Sequence, residues 1–146
     1  MVASLKDISI IPKKVIEVPG GNVLRGIKSS EDNFHGFEEL YFSFAKKNYV
    51  KAWKKHLKMH MNLFVPIGKI RFVFAEYTES KYTFLEVDLS NKNHSVLSVP
   101  PGIWFGFMGI SDNDSLIANL SNIEHEPNEV ERYEPNKIEY DWRKNL

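Results

Sequence analysis

His56 and His60 stand four residues apart in the lysine-rich run KKNYVKAWKKHLKMH, residues 46–60. An imidazole titrates near neutrality, so it can take a proton from a carbon beside a ketone. Lys51, Lys54, Lys55 and Lys58 surround it with cations that suit a diphosphate, which gains charge-assisted hydrogen bonds. Alternation along a strand would set Lys54, His56 and Lys58 on one face and Lys51, Trp53 and Lys55 on the other. The same run also reads as a plain solvated strand face. As metal ligands the two histidines are an incomplete set, and a spacing of four on a strand separates them by nearly twice the helical distance. Neither a metal nor a cofactor is expected. His35, His94 and His125 are expected at the surface or in loops.

A second candidate is LSVPPGIWFGFMGIS, Leu97 to Ser111. Pro100, Pro101 and Gly102 turn the chain, and Trp104, Phe105 and Phe107 follow at once. Aromatics here can be ordinary core, or a flat wall on which a base or sugar ring stacks. Trp104 and Phe107 are expected to point inward.

These residues need a scaffold, and composition bounds it. The chain has 146 residues, 19 Lys plus Arg against 19 Asp plus Glu, and no cysteine. One domain over residues 1–146 is expected, with 1–35 as N-terminal strands and loop and 36–142 as the core barrel. A formal charge of zero argues against nucleic acid as partner. The absence of cysteine excludes a disulfide framework and thiolate metal sites. No apolar run reaches the roughly 20 residues of a membrane span, so no membrane partner is expected. The opening MVASLKDISIIPKKVIEV lacks the apolar stretch of a secretory leader, and a cytoplasmic home is expected.

Period-two patterning recurs along the chain. KKVIEV, GFEELYFSFA, KIRFVFAEY, YTFLEVDLS, SVLSV, SLIANLS and KIEYDW read as strands, with turn signals about every 8 to 12 residues. In KIRFVFAEY, Ile70, Phe72 and Phe74 face one way and Arg71 and Val73 the other. The span 49–68 reads as two strands joined near Leu57 to His60, although AWKKHLKMHMNLF also fits an amphipathic helix. EHEPNEVERYEPNK reads as a long loop over the body. The expected fold class is all-β, an antiparallel double-sheet barrel or jelly roll.

The order of three segments, YVKAWKKHLKMHMNLFVPIGKIRFVFAE, VDLSNKNHSVLSVPPGIWFGFMGIS and ANLSNIEHEPNEVERYEPNKIEYDW, resembles the dTDP-4-dehydrorhamnose epimerases and their cupin relatives. The likeness covers about Gly36 to Trp142. Its most specific parts are the LS…N…L.VPPG…GF run and the ending I.YDW. It implies a cupin jelly roll, a homodimer and a nucleotide-linked sugar as ligand. VKAWKKH has the spacing of the family strand that ends in the catalytic histidine, and so implies His56 as base. The family lysine position falls near Met61 or Asn62, where no lysine stands. The general-acid tyrosine position falls near Asn119, and an amide cannot donate and recover a proton as a phenol does. A further family histidine is Phe105 here. Tyr41, Tyr133 and Tyr140 are the candidates for a relocated acid. The substrate-binding set is then Lys51, Trp53, Lys54, His60, Asn62, Trp104, Phe105 and Asn119. The implied function is an epimerase or keto-sugar isomerase acting on a 4-keto nucleotide-linked sugar in surface-polysaccharide biosynthesis. The alternative is a non-catalytic cupin that binds a sugar nucleotide or a partner protein.

Overall fold

The structure, a computed structural model, describes residues 3–146. Twelve strands run through them: β1 Ser9–Pro12, β2 Val15–Ile16, β3 Val23–Leu24, β4 Glu39–Ala45, β5 Val50–His56, β6 Met61–Ile67, β7 Lys69–Thr78, β8 Lys81–Ser90, β9 Ser95–Val99, β10 Trp104–Gly109, β11 Ser115–Ser121 and β12 Val130–Arg132. The only helical pieces among the described residues are three short 3₁₀ turns. The helical alternative for residues 52–64 is thus excluded: β5 and β6 replace it, joined across Leu57–His60.

Two five-stranded antiparallel sheets pack face to face in a jelly roll. One has the order β1-β9-β6-β11-β4, the other β12-β5-β10-β7-β8, and β2 and β3 form a separate ribbon. Alternation explains the core between the sheets. Ile70, Phe72 and Phe74 of β7 meet Met61, Leu63 and Val65 of β6, with Phe105, Leu97 and Ile117 filling the rest. The opposite side of β7 is buried too. Val73 and Ala75 join Trp53, Met108, Ile138 and Trp142 in a second cluster on the outer face of that sheet. Arg71, only 2% exposed, holds this cover down. Its guanidinium donates to both carboxylate oxygens of Asp88 and to the carbonyls of Trp142 and Lys144.

Two expectations for the C-terminal third need correction. KIEYDW is not a strand; Pro135–Lys137 is a 3₁₀ turn, and Ile138 and Trp142 then pack as a lid on the outer cluster. EHEPNEVERYEPNK is not wholly loop, because Val130–Arg132 pairs with His56–Lys54 as β12. The physical reason is the open edge of β5, whose N–H and C=O groups β12 satisfies.

The outer face of the other sheet is different. Leu40, Phe42 and Phe44 of β4 pair with Leu120, Ala118 and Leu116 of β11 and stay 47%, 59% and 65% exposed. Directly paired residues share a face, so they make a continuous apolar surface.

Candidate active site

Between the sheets lies a cavity of about 760 Å³. Tyr41, Ser43, Leu63 and Asn119 line it from one sheet, Lys51, Lys54, Phe72, Phe105 and Phe107 from the other. The segment after β11 closes its mouth with Arg132, Tyr133, Glu134, Asn136 and Lys137.

The strand that carries His56 is irregular. Phe105 pairs with Lys54 but Gly106 pairs with Ala52, so Trp53 is the extra residue of a β-bulge. Gly106 is required there, since a Cβ would sit 2.5 Å from the Ala52 side chain. The bulge corrects the expected alternation. Lys51 lies across from Phe107 and Lys54 across from Phe105, so both lysines face the cavity. Trp53 is turned outward instead, and its indole N–H donates to the carbonyls of Pro135 and Ile138 at 3.2 Å each. It is nonetheless among the residues that line the cavity.

His56 ends β5 on the inner face and is 5% exposed. The Pro100–Gly102 turn fixes the strand end, because the Gly102 N–H donates to the His56 carbonyl at 2.7 Å. Gly102 has φ +96°, which a side chain would oppose. His56 Nδ1 lies 2.5 Å from Glu129 Oε2, and Glu129 Oε1 accepts from the Lys58 and Met59 amides at 3.1 and 3.0 Å. Burial pushes the Glu129 carboxyl up, but the bond to His56 and the two amides outweigh it and hold the group below its ordinary range. Burial also lowers the His56 pKa, more than Glu129 raises it. The result at neutral pH is a neutral imidazole donating Nδ1–H to a carboxylate. Nε2 is left as the lone-pair nitrogen. Among the described residues, the side-chain nitrogens and oxygens sealed from solvent without a partner are His94 Nδ1 and Asn119 Oδ1; His56 Nε2 is not one of them. His56 does not line the cavity directly. Its ring stands beside it, stacked on Phe105 with centroids 5.8 Å apart.

The cavity is cationic on the β5 side. Lys51, Lys54, Arg132 and Lys137 stand against the single carboxylate of Glu134, a balance that favours an anionic ligand. Burial, then Arg132 and Lys51, lower the Lys54 pKa. On the opposite wall Asn119 Nδ2 donates to Tyr41 Oη at 2.8 Å. Burial raises the Tyr41 pKa against the lowering by Asn119, with Glu39 and Glu129 raising it further.

Of the residues singled out in the sequence, Lys51, Trp53, Lys54, Phe105 and Asn119 line this cavity, with His56 beside it. Three others stand elsewhere. Trp104 alternates with Phe105 and so faces outward, stacked on Tyr133 at 4.1 Å with the Lys55 ammonium over its ring. Asn62 alternates with the inward Met61 and Leu63; it bonds Asn33 on the outer face. His60 bonds Ser98 and packs on His35 at 3.9 Å in a separate pocket, where burial and then His35 push its pKa down to about 4. His94 is buried rather than exposed, its ring against the Arg25 carbonyl. Sequence reasoning missed Glu129, Arg132 and Lys137. They lie 73 or more residues beyond His56 in a polar, proline-flanked stretch, which the β12 pairing and the 3₁₀ turn after it, bonded to the Trp53 indole, bring back to β5. Among the described residues no three His, Asp or Glu side chains converge as metal ligands would.

No family profile matches the chain. A dTDP sugar isomerase from Desulfovibrio desulfuricans superposes with a TM-score of 0.87 at 30% identity, over 97% of this chain and 94% of that one. The dTDP-4-dehydrorhamnose 3,5-epimerase of Sulfolobus tokodaii superposes with a TM-score of 0.79 at 22% identity, over 98% and 86%. In sequence, a probable low-salt glycan biosynthesis epimerase of Haloferax volcanii is 28% identical over 148 residues, 95% of each chain. The jelly roll makes the chain a cupin, and the likeness to the Desulfovibrio enzyme puts it in the isomerase class. The chain belongs to the dTDP-4-dehydrorhamnose 3,5-epimerase-like family of nucleotide-sugar epimerases and isomerases.

Proposed function

We propose that this protein is an epimerase or keto-isomerase acting on a 4-keto nucleotide-linked sugar during glycan assembly, with His56 as the base. The observation that carries the reading is the His56–Glu129 pair, a neutral imidazole held by a buried carboxylate beside a cationic cavity. Glu129 fixes the tautomer and stabilises the imidazolium that forms when Nε2 takes a proton. The carbon beside a ketone is the natural donor, since its electron pair moves into an enolate. Lys54, two residues before His56 on the same inward face, suits the enolate oxygen. Lys51, Arg132 and Lys137 suit the diphosphate, and Phe105 and Phe107 suit the ring faces. The relatives named for dTDP sugars and for glycan biosynthesis support the same ligand class.

The test is turnover in D₂O of a panel of 4-keto nucleotide sugars, dTDP-4-keto-6-deoxyglucose first, read by NMR. Deuterium should enter at carbon beside the ketone and an epimer or isomer should accumulate. Binding without any deuterium uptake would refute the reading and leave a non-catalytic sugar-nucleotide binder.

The proposal extends to a single cupin-like domain over residues 1–146, a cytoplasmic home and a homodimer. Among the described residues no helix is long and apolar enough to cross a membrane. The bare face of Leu40, Phe42 and Phe44 suits a second copy of the chain, because a formal net charge of zero sets up no repulsion between copies. Sedimentation should give a dimer at micromolar concentration, and Phe42→Glu should give a monomer.

A further inference from the structure

Removing a proton from one face of a carbon and returning one to the other needs two groups that approach from opposite sides. His56 comes from one sheet. Three tyrosines compete for the second role. The Tyr140 hydroxyl donates to Glu86 at 2.5 Å within the outer cluster. Tyr133 reaches the cavity mouth, but its ring is stacked on Trp104 at the outer face. Tyr41 sits on β4 with its hydroxyl in the inner wall, across the rung from Asn119. Met59 spans the gap between this phenol and the base. Its amide donates to Glu129, while its sulfur lies 3.7 Å from Tyr41 Oη and 3.6 Å from Asn119 Nδ2.

The geometry points to Tyr41 as the general acid that protonates the carbon opposite His56, with Asn119 as the positioning residue that steadies its phenolate. This rests on the epimerase reading above. In the first half-step the C–H bond breaks, His56 Nε2 takes the proton, and the electron pair forms the enolate. In the second, the Tyr41 O–H bond breaks and its proton forms the new C–H bond as the carbonyl returns. Tyr41 is left as a phenolate that accepts a hydrogen bond from Asn119 Nδ2. Water then reprotonates Tyr41 and takes the proton from His56, so the net change is inversion alone. The Tyr41 oxygen accepts from Asn119, and among the described residues its own proton meets no acceptor stronger than the Met59 thioether. The phenol proton is therefore free for the ligand.

The experiment is Tyr41→Phe, which keeps the ring that packs on the core, assayed in D₂O with dTDP-4-keto-6-deoxyglucose or whichever panel member wild type inverts. Inversion should fall by about 10²- to 10⁴-fold, the usual loss of a general acid. Deuterium uptake with retained configuration should fall far less, and KM should move little beside kcat. Asn119→Leu keeps the phenol and removes its donor. Inversion should then drop about ten- to a hundredfold, as for one hydrogen bond to a charged group, again with a smaller loss of uptake. Tyr41→Phe protein that inverts within tenfold of wild type, or that loses uptake and inversion by one common factor, would overturn the assignment. Uptake that survives His56→Asn would instead refute the base and leave Tyr41 standing. Wild type that neither exchanges nor inverts would end both.

Discussion

The two walls of the cavity are built from different chemistry. The β5–β10 wall is charged: His56 on Glu129, with Lys51 and Lys54 beside them and Arg132 and Lys137 closing in from the following segment. The β4–β11 wall is neutral: Tyr41, Ser43 and Asn119 over Met59 and Leu63. The charged wall has its bulge at Trp53, between the two lysines, with its glycine at 106; in the other sheet β11 follows β4 without a break from Ser115 to Ser121, and its register shift lies against β6, between Leu116 and Ala118. A regular ladder presents only alternate residues to the interior. Bringing Lys51 and Lys54 to one face, an odd spacing of three, needs the extra residue. The bulge on β5 is therefore what gathers the two cations on one face, while the shift between β11 and β6 brings no charge to the site.

The comparison can be broken most severely at His56. His56→Asn should leave the fold and ligand affinity nearly intact and lower uptake of solvent deuterium about 10²- to 10⁴-fold, since an amide accepts no proton near neutral pH. A common modest loss of affinity and rate would mean that the ring only fills space. Glu129→Gln should act less, by about ten- to a hundredfold in kcat/KM, as for a hydrogen bond to a charged group. It should also move the pH profile. The reactive form of His56 is neutral, and its pKa in the fold is below the ordinary 6.5, so activity should fall only as pH drops through that lowered value. Glu129 raises that pKa, so its loss should shift the acid limb to still lower pH. An unmoved limb would show that another group titrates there. The smallest effect is expected at Trp104. Trp104→Leu should change kcat/KM by about twofold or less, the ~0.5 kcal/mol of a change away from the site, while Phe105→Leu alters the surface on which His56 stacks and raises KM more.

Much of the scaffold was legible in the sequence because inward and outward residues alternate on strands. Ile70, Phe72 and Phe74 could be read directly, and so could the break between β5 and β6. The bulge could not be read: it turns on one residue, Trp53, and on whether Gly106 lets two strands approach, which alternation does not encode. Trp104 was placed inward for the same reason, since the start of a strand after a turn does not fix its phase. Lys51, Lys54 and His56 were visible as residue types near one another in sequence. Glu129 was not, because its role depends on a strand of three residues that forms only against the edge of β5. Asn119 read as a loss. Only the cross-strand rung showed a phenol, Tyr41, bonded to it.

Beyond the β12 ladder itself, the segment after β11 holds β5 by three further backbone bonds: Trp53 N–H to Tyr133 C=O at 2.9 Å, Tyr133 N–H to Trp53 C=O at 3.0 Å, and Leu57 N–H to Glu129 C=O at 2.7 Å. It also carries Arg132 and Lys137 at the cavity mouth and Ile138 and Trp142 in the outer cluster. In the language of native-state hydrogen exchange, docking of this segment and occupancy of the cavity are one equilibrium. A ligand that binds only the docked form adds about 2.7 kcal/mol to docking at a hundred times its Kd. The amides of Trp53, Leu57 and Tyr133 then become internal reporters of ligand, slowed together by about a hundredfold wherever they exchange through opening of this segment, while amides of the β7–β8 ladder that exchange through their own local openings keep their rates.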